Sequence, residues 1–200
     1  LGFTFLAMMI FALVAWIPTY FIRTHGTSIS EIANILGLYF MVFGTAGVIC
    51  GGIFSDWLKF CGYYDSNLRA GCISALVCLP FVVFFPLVDN YLYSIILLAP
   101  VIFFGTMPFG TGPSALPLLV PNRLRGQMVA IYLFSGNLLG QGCGPWLVAA
   151  FTDFILNDPS QIRYSLSIVC PVIGLMGCAI LFFGMKPFGV YIKELESKSL

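Results

Sequence analysis

The sequence predicts an all-α membrane protein of six transmembrane helices, arranged as an inverted three-plus-three repeat. Three observations predict it. First, 60% of the 200 residues are hydrophobic and 8% are charged, and the mean hydropathy is +0.99. A soluble domain carries roughly 25% charged residues, so this chain cannot coat a globule with charge and its solvent must be mostly lipid. Second, the apolar residues gather into six runs, and roughly 20 residues of helix cross a hydrocarbon core. Third, at one common offset Gly47 aligns with Gly144, and Phe54-Ser55-Asp56 aligns with Phe151-Thr152-Asp153. That offset pairs the second run with the fifth, each the middle of a three-run block. With an odd number of crossings per block, the two copies must point in opposite directions.

The first span covers residues 3–22 and meets no charge before Arg23. It ends in Trp16, Pro18 and Tyr20. The two aromatics suit an interface belt, and Pro18 is expected to bend the last turn. After it, Ser28 or Ser30 precedes Glu31 as a helix start; Ser28 has the Ser-x-x-Glu spacing of a capping box. The second span covers 32–54 and carries Gly44, Gly47 and Gly51, a stripe of small residues that lets two helices approach closely in lipid. The third covers 70–87. Asp89-Asn90 then makes a turn so short that it can join only antiparallel neighbours.

The fourth span, 91–120, is the least regular, with Pro100, Pro108, Pro113 and Pro117 among its glycines. Proline removes a backbone donor, which a membrane tolerates where the freed carbonyls are buried or line a cavity; Thr106, Thr111 and Ser114 are candidates to satisfy some of them. The fifth span, 127–151, has Gly136, Gly140 and Gly144 at steps of four, hence on one face, with Asn137 and Gln141 one position round. Two amides at membrane depth are costly unless they meet a partner or a wet cavity. The sixth span covers 165–185, and 186–200 form a short charged tail, frayed or interfacial. The chain opens inside an apolar run, so it is expected to be part of a longer protein.

Loop charges set the expected orientation. If the loop after the second span is cytoplasmic, that side holds Lys59, Arg69, Arg123, Arg125, Lys186, Lys193 and Lys198, and the other side only Arg23 and Arg163. This obeys the positive-inside rule and places the C-terminus in the cytoplasm.

Several function classes are excluded by what is missing. A net charge of +1 and no basic groove argue against nucleic acid. The seven cysteines form no C-x-x-C pair, and a single His is too few for a Cys/His metal site; no metal or cofactor is expected. Ser135-Gly136 has no nearby His, since His25 lies in a loop beyond a different span, and no H-E-x-x-H exists, so no enzyme is expected.

The run Val120-Pro121-Asn122-Arg123-Leu124-Arg125-Gly126-Gln127, with Ala130-Ile131-Tyr132-Leu133-Phe134, Asn137-Leu138-Leu139-Gly140, Gly144-Pro145 and Thr152-Asp153, resembles the C-terminal six-helix half of a major facilitator superfamily transporter, and within it the bacterial Spinster-like group. Trp16-Ile17-Pro18 and Gly51-Gly52 through Asp56 support the resemblance more weakly. It implies a 12-helix carrier whose first six helices, the N-terminal half, lie outside this chain. It implies a bacterial inner (plasma) membrane location, membrane lipid and a small-molecule substrate as partners, and secondary transport of a small organic or amphiphilic solute by alternating access. Gly52 and Asp56 match the core of the family's gating loop, but Trp57 and Leu58 stand where basic residues normally follow, with Lys59 nearby.

No ionisable residue lies well inside a span, although proton relays need one. This half is therefore expected to supply shape, aromatics and amides: Asn137 and Gln141 first, then Ser135, Tyr132, Thr106, Ser114 and Tyr39. Asn137 also suits a helix–helix hydrogen bond, and Tyr39 and Tyr132 also suit packing. Arg123 and Arg125 read either as an anchor among acidic headgroups or as a cytoplasmic gate. The other class kept open is a six-helix channel or a structural membrane scaffold, although no filter of repeated charges or carbonyl loops is visible.

Overall fold

The computed structural model describes residues 1–198, and every regular element among them is helical. Six long helices follow the apolar runs: α1 Gly2–His25, α2 Ile29–Phe60, α3 Ser66–Phe84, α4 Tyr91–Ala115, α5 Arg125–Phe151 and α6 Ile162–Lys198. A π-turn, Phe40–Gly44, interrupts α2, and a second, Thr152–Leu156, follows α5. The segment expected as a separate tail continues α6 as helix through Lys198; residues 199–200 lie outside the described residues.

Local chemistry sets the ends. Gly26 adopts φ 66°, and its N–H closes α1 on the Ile22 carbonyl; glycine alone meets no Cβ penalty there. Ser28 starts α2, its Oγ accepting the Glu31 N–H at 3.2 Å. The Asn90 side chain accepts the Leu92 N–H at 2.9 Å and starts α4. Asp158 accepts from the Ser160 N–H and hydroxyl and from Gln161 Nε2, and these bonds hold its carboxyl below the ordinary carboxylate range.

Five of the six helices are long and apolar enough to cross a membrane: all but α5. At 27 residues α5 is long enough. Its glycines, Ser135, Asn137, Gln141 and Pro145 dilute its apolar character below that of its neighbours. Charged side chains of α1 to α5 fall at or near helix ends, namely Arg23, Glu31, Asp56, Lys59, Arg69, Arg125 and Asp153, and α6 carries Arg163 at its start and Lys186, Lys193 and Glu194 along its C-terminal part.

Helix α1 is the most enclosed. Ala12, Leu13, Ile17, Tyr20 and Phe21 are buried against Ile32 and Leu36 of α2, Cys78 and Val82 of α3, Leu98 and Val101 of α4, Val148 of α5 and Leu166 and Cys170 of α6. A second cluster joins Phe3 and Leu6 to Leu68, Cys72 and Ala75 of α3 and to Cys178 and Leu181 of α6. Ile73, Leu76 and Val77 of α3 and Ile168, Val172 and Leu175 of α6 are exposed, an outward apolar face that suits lipid rather than water. Tyr20 corrects the interface-belt expectation. It is fully buried, its hydroxyl within 3.3 Å of the Phe85 carbonyl and Ser94 Oγ and 3.2 Å from His25 Nε2.

Packing crosses between the two three-helix blocks. Helix α1 packs along α5 and α6, α4 packs along α2 and α3, and α3 meets α6. Glycine seams carry the first contact of each set. A Cβ on Gly47 would strike the Phe103 carbonyl oxygen and the Thr106 hydroxyl of α4, and one on Gly51 the Met107 carbonyl oxygen. A Cβ on Gly144 would lie 2.7 Å from the Met8 carbonyl oxygen of α1, and one on Gly140 2.8 Å from the Phe11 ring. Gly44 is looser, 3.3 Å from Phe40, and Gly136 has no neighbour within 4 Å. The aligned hydroxyls also behave alike. Buried Ser55 donates to Asn67 Oδ1 of α3 at 2.7 Å, and buried Thr152 bonds Ser165 Oγ of α6 at 2.7 Å.

Candidate functional site

Several of the polar residues singled out by the sequence collect in two places, one between α1 and α5 and one among α2, α3 and α4. The first is on α5. Asn137 Nδ2 donates to the Leu133 carbonyl at 2.7 Å, and Gln141 Nε2 donates to Asn137 Oδ1 at 2.8 Å. Both amides are exposed. These bonds stay within α5, so among the described residues neither amide joins this helix to another of the six. Gln141 lines a recess of about 400 Å³ with Pro145 of α5 and Phe11, Val14 and Ala15 of α1. Such a recess offers apolar walls and an amide, the mix expected of a site for a neutral or amphiphilic molecule.

Trp16 frames this recess, and sequence reasoning missed its role. Its indole N–H donates to the Pro145 carbonyl at 2.9 Å, clasping α1 to α5. The two residues are far apart in sequence, so no local signal could have paired them.

The second place lies where α2 ends and α3 and α4 come together. Gly52, Asp56 and Lys59 share a recess of about 290 Å³ with Ser55, Asn67, Gly110 and Ser114. Asn67, another residue missed, bridges the site: its Oδ1 accepts from Ser55 at 2.7 Å and from Ser114 at 3.1 Å. Its place at the start of α3, in a stretch read as loop, hid it. A Cβ on Gly110 would strike the Val48 carbonyl oxygen, so glycine lets α4 close on α2 here. Asp56 is exposed and makes no ion pair among the described residues. Ser114, expected on the cavity wall, therefore stands beside the expected gating residues.

The remaining predicted residues are placed otherwise. Thr106 is buried at the α2–α4 crossing and bonds the Gly44 and Phe103 carbonyls, each at 3.1 Å. Thr111 reaches the Pro108 carbonyl, and Ser114 the Thr111 carbonyl. None of these carbonyls is one that a proline frees four residues earlier, so the hydroxyls of α4 do not repair its prolines. Tyr132 is half-buried against the second cluster and packs on Gly112. Ser135 bonds the Tyr132 carbonyl of its own helix at 3.0 Å. Tyr39 sits just before the π-turn, its ring 5.2 Å from Phe43. Arg123 and Arg125 are exposed at the start of α5. The positive end of the helix dipole disfavours cations there, so the fold of this chain does not itself explain them.

No protein-family model matches the chain, and no curated protein matches it by sequence. Solved structures do match in shape. One is a bacterial homolog to the human lysosomal transporter Spinster, inward-facing and unoccupied: TM-score 0.67, 15% identity, covering 96% of this chain and 46% of that one. The occupied inward-facing form gives TM-score 0.64 at 17% identity, covering 100% of this chain and 48% of that one. This chain thus spans about half the length of the structures it matches, and at these identities the likeness is one of fold: six helices packed as in part of a Spinster-homolog transporter.

Proposed function

We propose that this chain is the C-terminal six-helix half of a Spinster-like secondary transporter of the major facilitator superfamily, carrying a small organic or amphiphilic solute by alternating access. The observation that carries the reading is the shape match, in which nearly all of this chain corresponds to about half of a transporter. The C-terminal assignment rests on the resemblance carried by the residues around Val120–Gln127, which also implies a bacterial inner membrane; the loop charges favour a cytoplasmic C-terminus.

An inverted three-plus-three repeat is supported by the crossed packing of the two blocks and by the paired roles of Gly47 with Gly144 and Ser55 with Thr152. The two halves rock about a shared cavity. In this half Asn137 and Gln141 supply hydrogen bonds, and Phe11, Val14 and Pro145 supply shape. Asp56 serves as a cytoplasmic latch, its carboxylate seated at a helix N-terminus of the other half. If the carrier is proton-coupled, the coupling carboxylate belongs to that other half, because the depth of these helices holds none.

The test is uptake by the whole polypeptide in vesicles. Asn137→Leu should lower uptake at limiting substrate roughly fivefold to tenfold, the worth of about one hydrogen bond, with unchanged melting temperature. Uptake equal to wild type at every substrate concentration removes Asn137 from the site.

A further inference from the structure

Apart from these two recesses, the loop between α2 and α3 meets the C-terminal part of α6 around a recess of about 520 Å³. Its floor and rim differ in chemistry. The floor is Phe182 and Phe183, exposed by 64% and 78% on the outward side of α6. The rim holds Arg69, Lys186 and Lys193 with Tyr63 and Tyr64. Lys186 follows the two phenylalanines by one helical turn and Lys193 by three, so floor and cations lie along one strip of α6.

The rim is partly fixed. Arg69 Nε donates to Asp65 Oδ1 at 2.7 Å, and its guanidinium lies 4.4 Å from the Tyr63 ring centre. That pair neutralises Asp65, the one acid among the described residues that line the recess. Lys186 and Lys193 make no ion pair among the described residues, and Glu194, the next acid along α6, is not part of the lining. Among the described residues the recess thus keeps a net positive charge beside an apolar floor, with Tyr63 and Tyr64 at its rim, the residue type enriched where helices leave a hydrocarbon core.

We propose that this recess seats an anionic phospholipid of the surrounding leaflet, its phosphodiester on Lys186, Lys193 and Arg69 and its acyl chains on Phe182 and Phe183. The phosphate chemistry alone would also fit a soluble anion. The exposed phenylalanine floor decides for lipid, since a soluble phosphate makes no use of it. The assignment needs the chain to lie in a membrane but not to transport, so it stands or falls separately from the carrier reading.

Native mass spectrometry of the whole polypeptide, released from micelles with equal dioleoylphosphatidylglycerol and dioleoylphosphatidylcholine, tests it. The wild type should retain one phosphatidylglycerol in preference to phosphatidylcholine, and 10 mM inorganic phosphate should not displace it. Each surface cation strengthens anionic-lipid attraction about fivefold, so Lys186→Gln with Lys193→Gln should reduce the preference about tenfold or more. The Lys186→Arg, Lys193→Arg pair should restore it, and Arg123→Gln with Arg125→Gln should leave it intact. Equal loss in the Arg123/Arg125 variant would mean diffuse surface charge and overturn the site. So would an unchanged preference in the Gln pair, or displacement by phosphate.

Discussion

Asn137 and Gln141 form a short ladder along one helix that uses one N–H of each and leaves the Gln141 oxygen free toward the exposed side, with no partner from another helix among the described residues. Thr106 does the reverse, spending its hydroxyl on the Gly44 carbonyl of α2. Thr106→Val keeps the shape and removes that bond. It should lower stability by roughly 0.5–1.5 kcal/mol, the usual worth of an interhelical hydrogen bond in a membrane, while saturated uptake is unchanged; a thermal-shift series with a parallel uptake assay checks both. Residue roles were readable from sequence when both partners were close in the chain. Ser28 and Glu31 are three apart, and the cap formed as the spacing requires. Trp16 with Pro145, Asn67 with Ser114 and Tyr20 with Ser94 depend on helix placement, which residue type alone does not carry.

Among the elements, α2 and α5 behave as a pair. Each leans on a neighbour from the other block through glycine and leaves most of its surface outward; in α5 only Gly140, Gly144 and Val148 are buried. Gly47→Ala forces a methyl into the backbone of α4, so melting should fall, by 1–3 kcal/mol on the scale of overpacked cores. Gly136→Ala meets nothing in this half, and the better helix propensity of alanine should leave stability equal or up to about 1 kcal/mol higher. A fall in melting for Gly136→Ala would place a segment from outside this chain against it. The glycine steps were legible in sequence; which glycine touches a neighbour was not, because a stripe of four-residue steps gives the face but not how far along it the partner lies. Helix α5 shows a second limit. Its amides and glycines, the features that single it out, are also what make it the least apolar of the six. The length of α6 was hidden for a related reason: Lys186 and Pro187 look like an ending, yet Phe188 and Ile192 are buried and carry the helix onward.

For the whole molecule, the all-helical class and five of the six helices could be read from hydropathy, and α5 from its length and glycine steps, whereas the crossed packing of the blocks could not. Orientation is open to direct measurement. Cys61 is exposed in the loop after α2. In a variant whose other cysteines are serine, a membrane-impermeant maleimide should label it in inside-out vesicles and not in intact cells. Labelling from outside would reverse the orientation and, with it, the cytoplasmic latch assigned to Asp56. The position of the charges has an electrical consequence. Moving one elementary charge through a 100 mV potential changes the energy by about 2.3 kcal/mol, but among the described residues the charged side chains of α1 to α5 sit at helix ends and those of α6 near its start and along its C-terminal part, where rocking would carry them through little of that drop. On the proposed carrier reading, shifts of these six helices should therefore be nearly silent to voltage, and any current that accompanies turnover should come from the solute, a co-transported ion or the rest of the polypeptide.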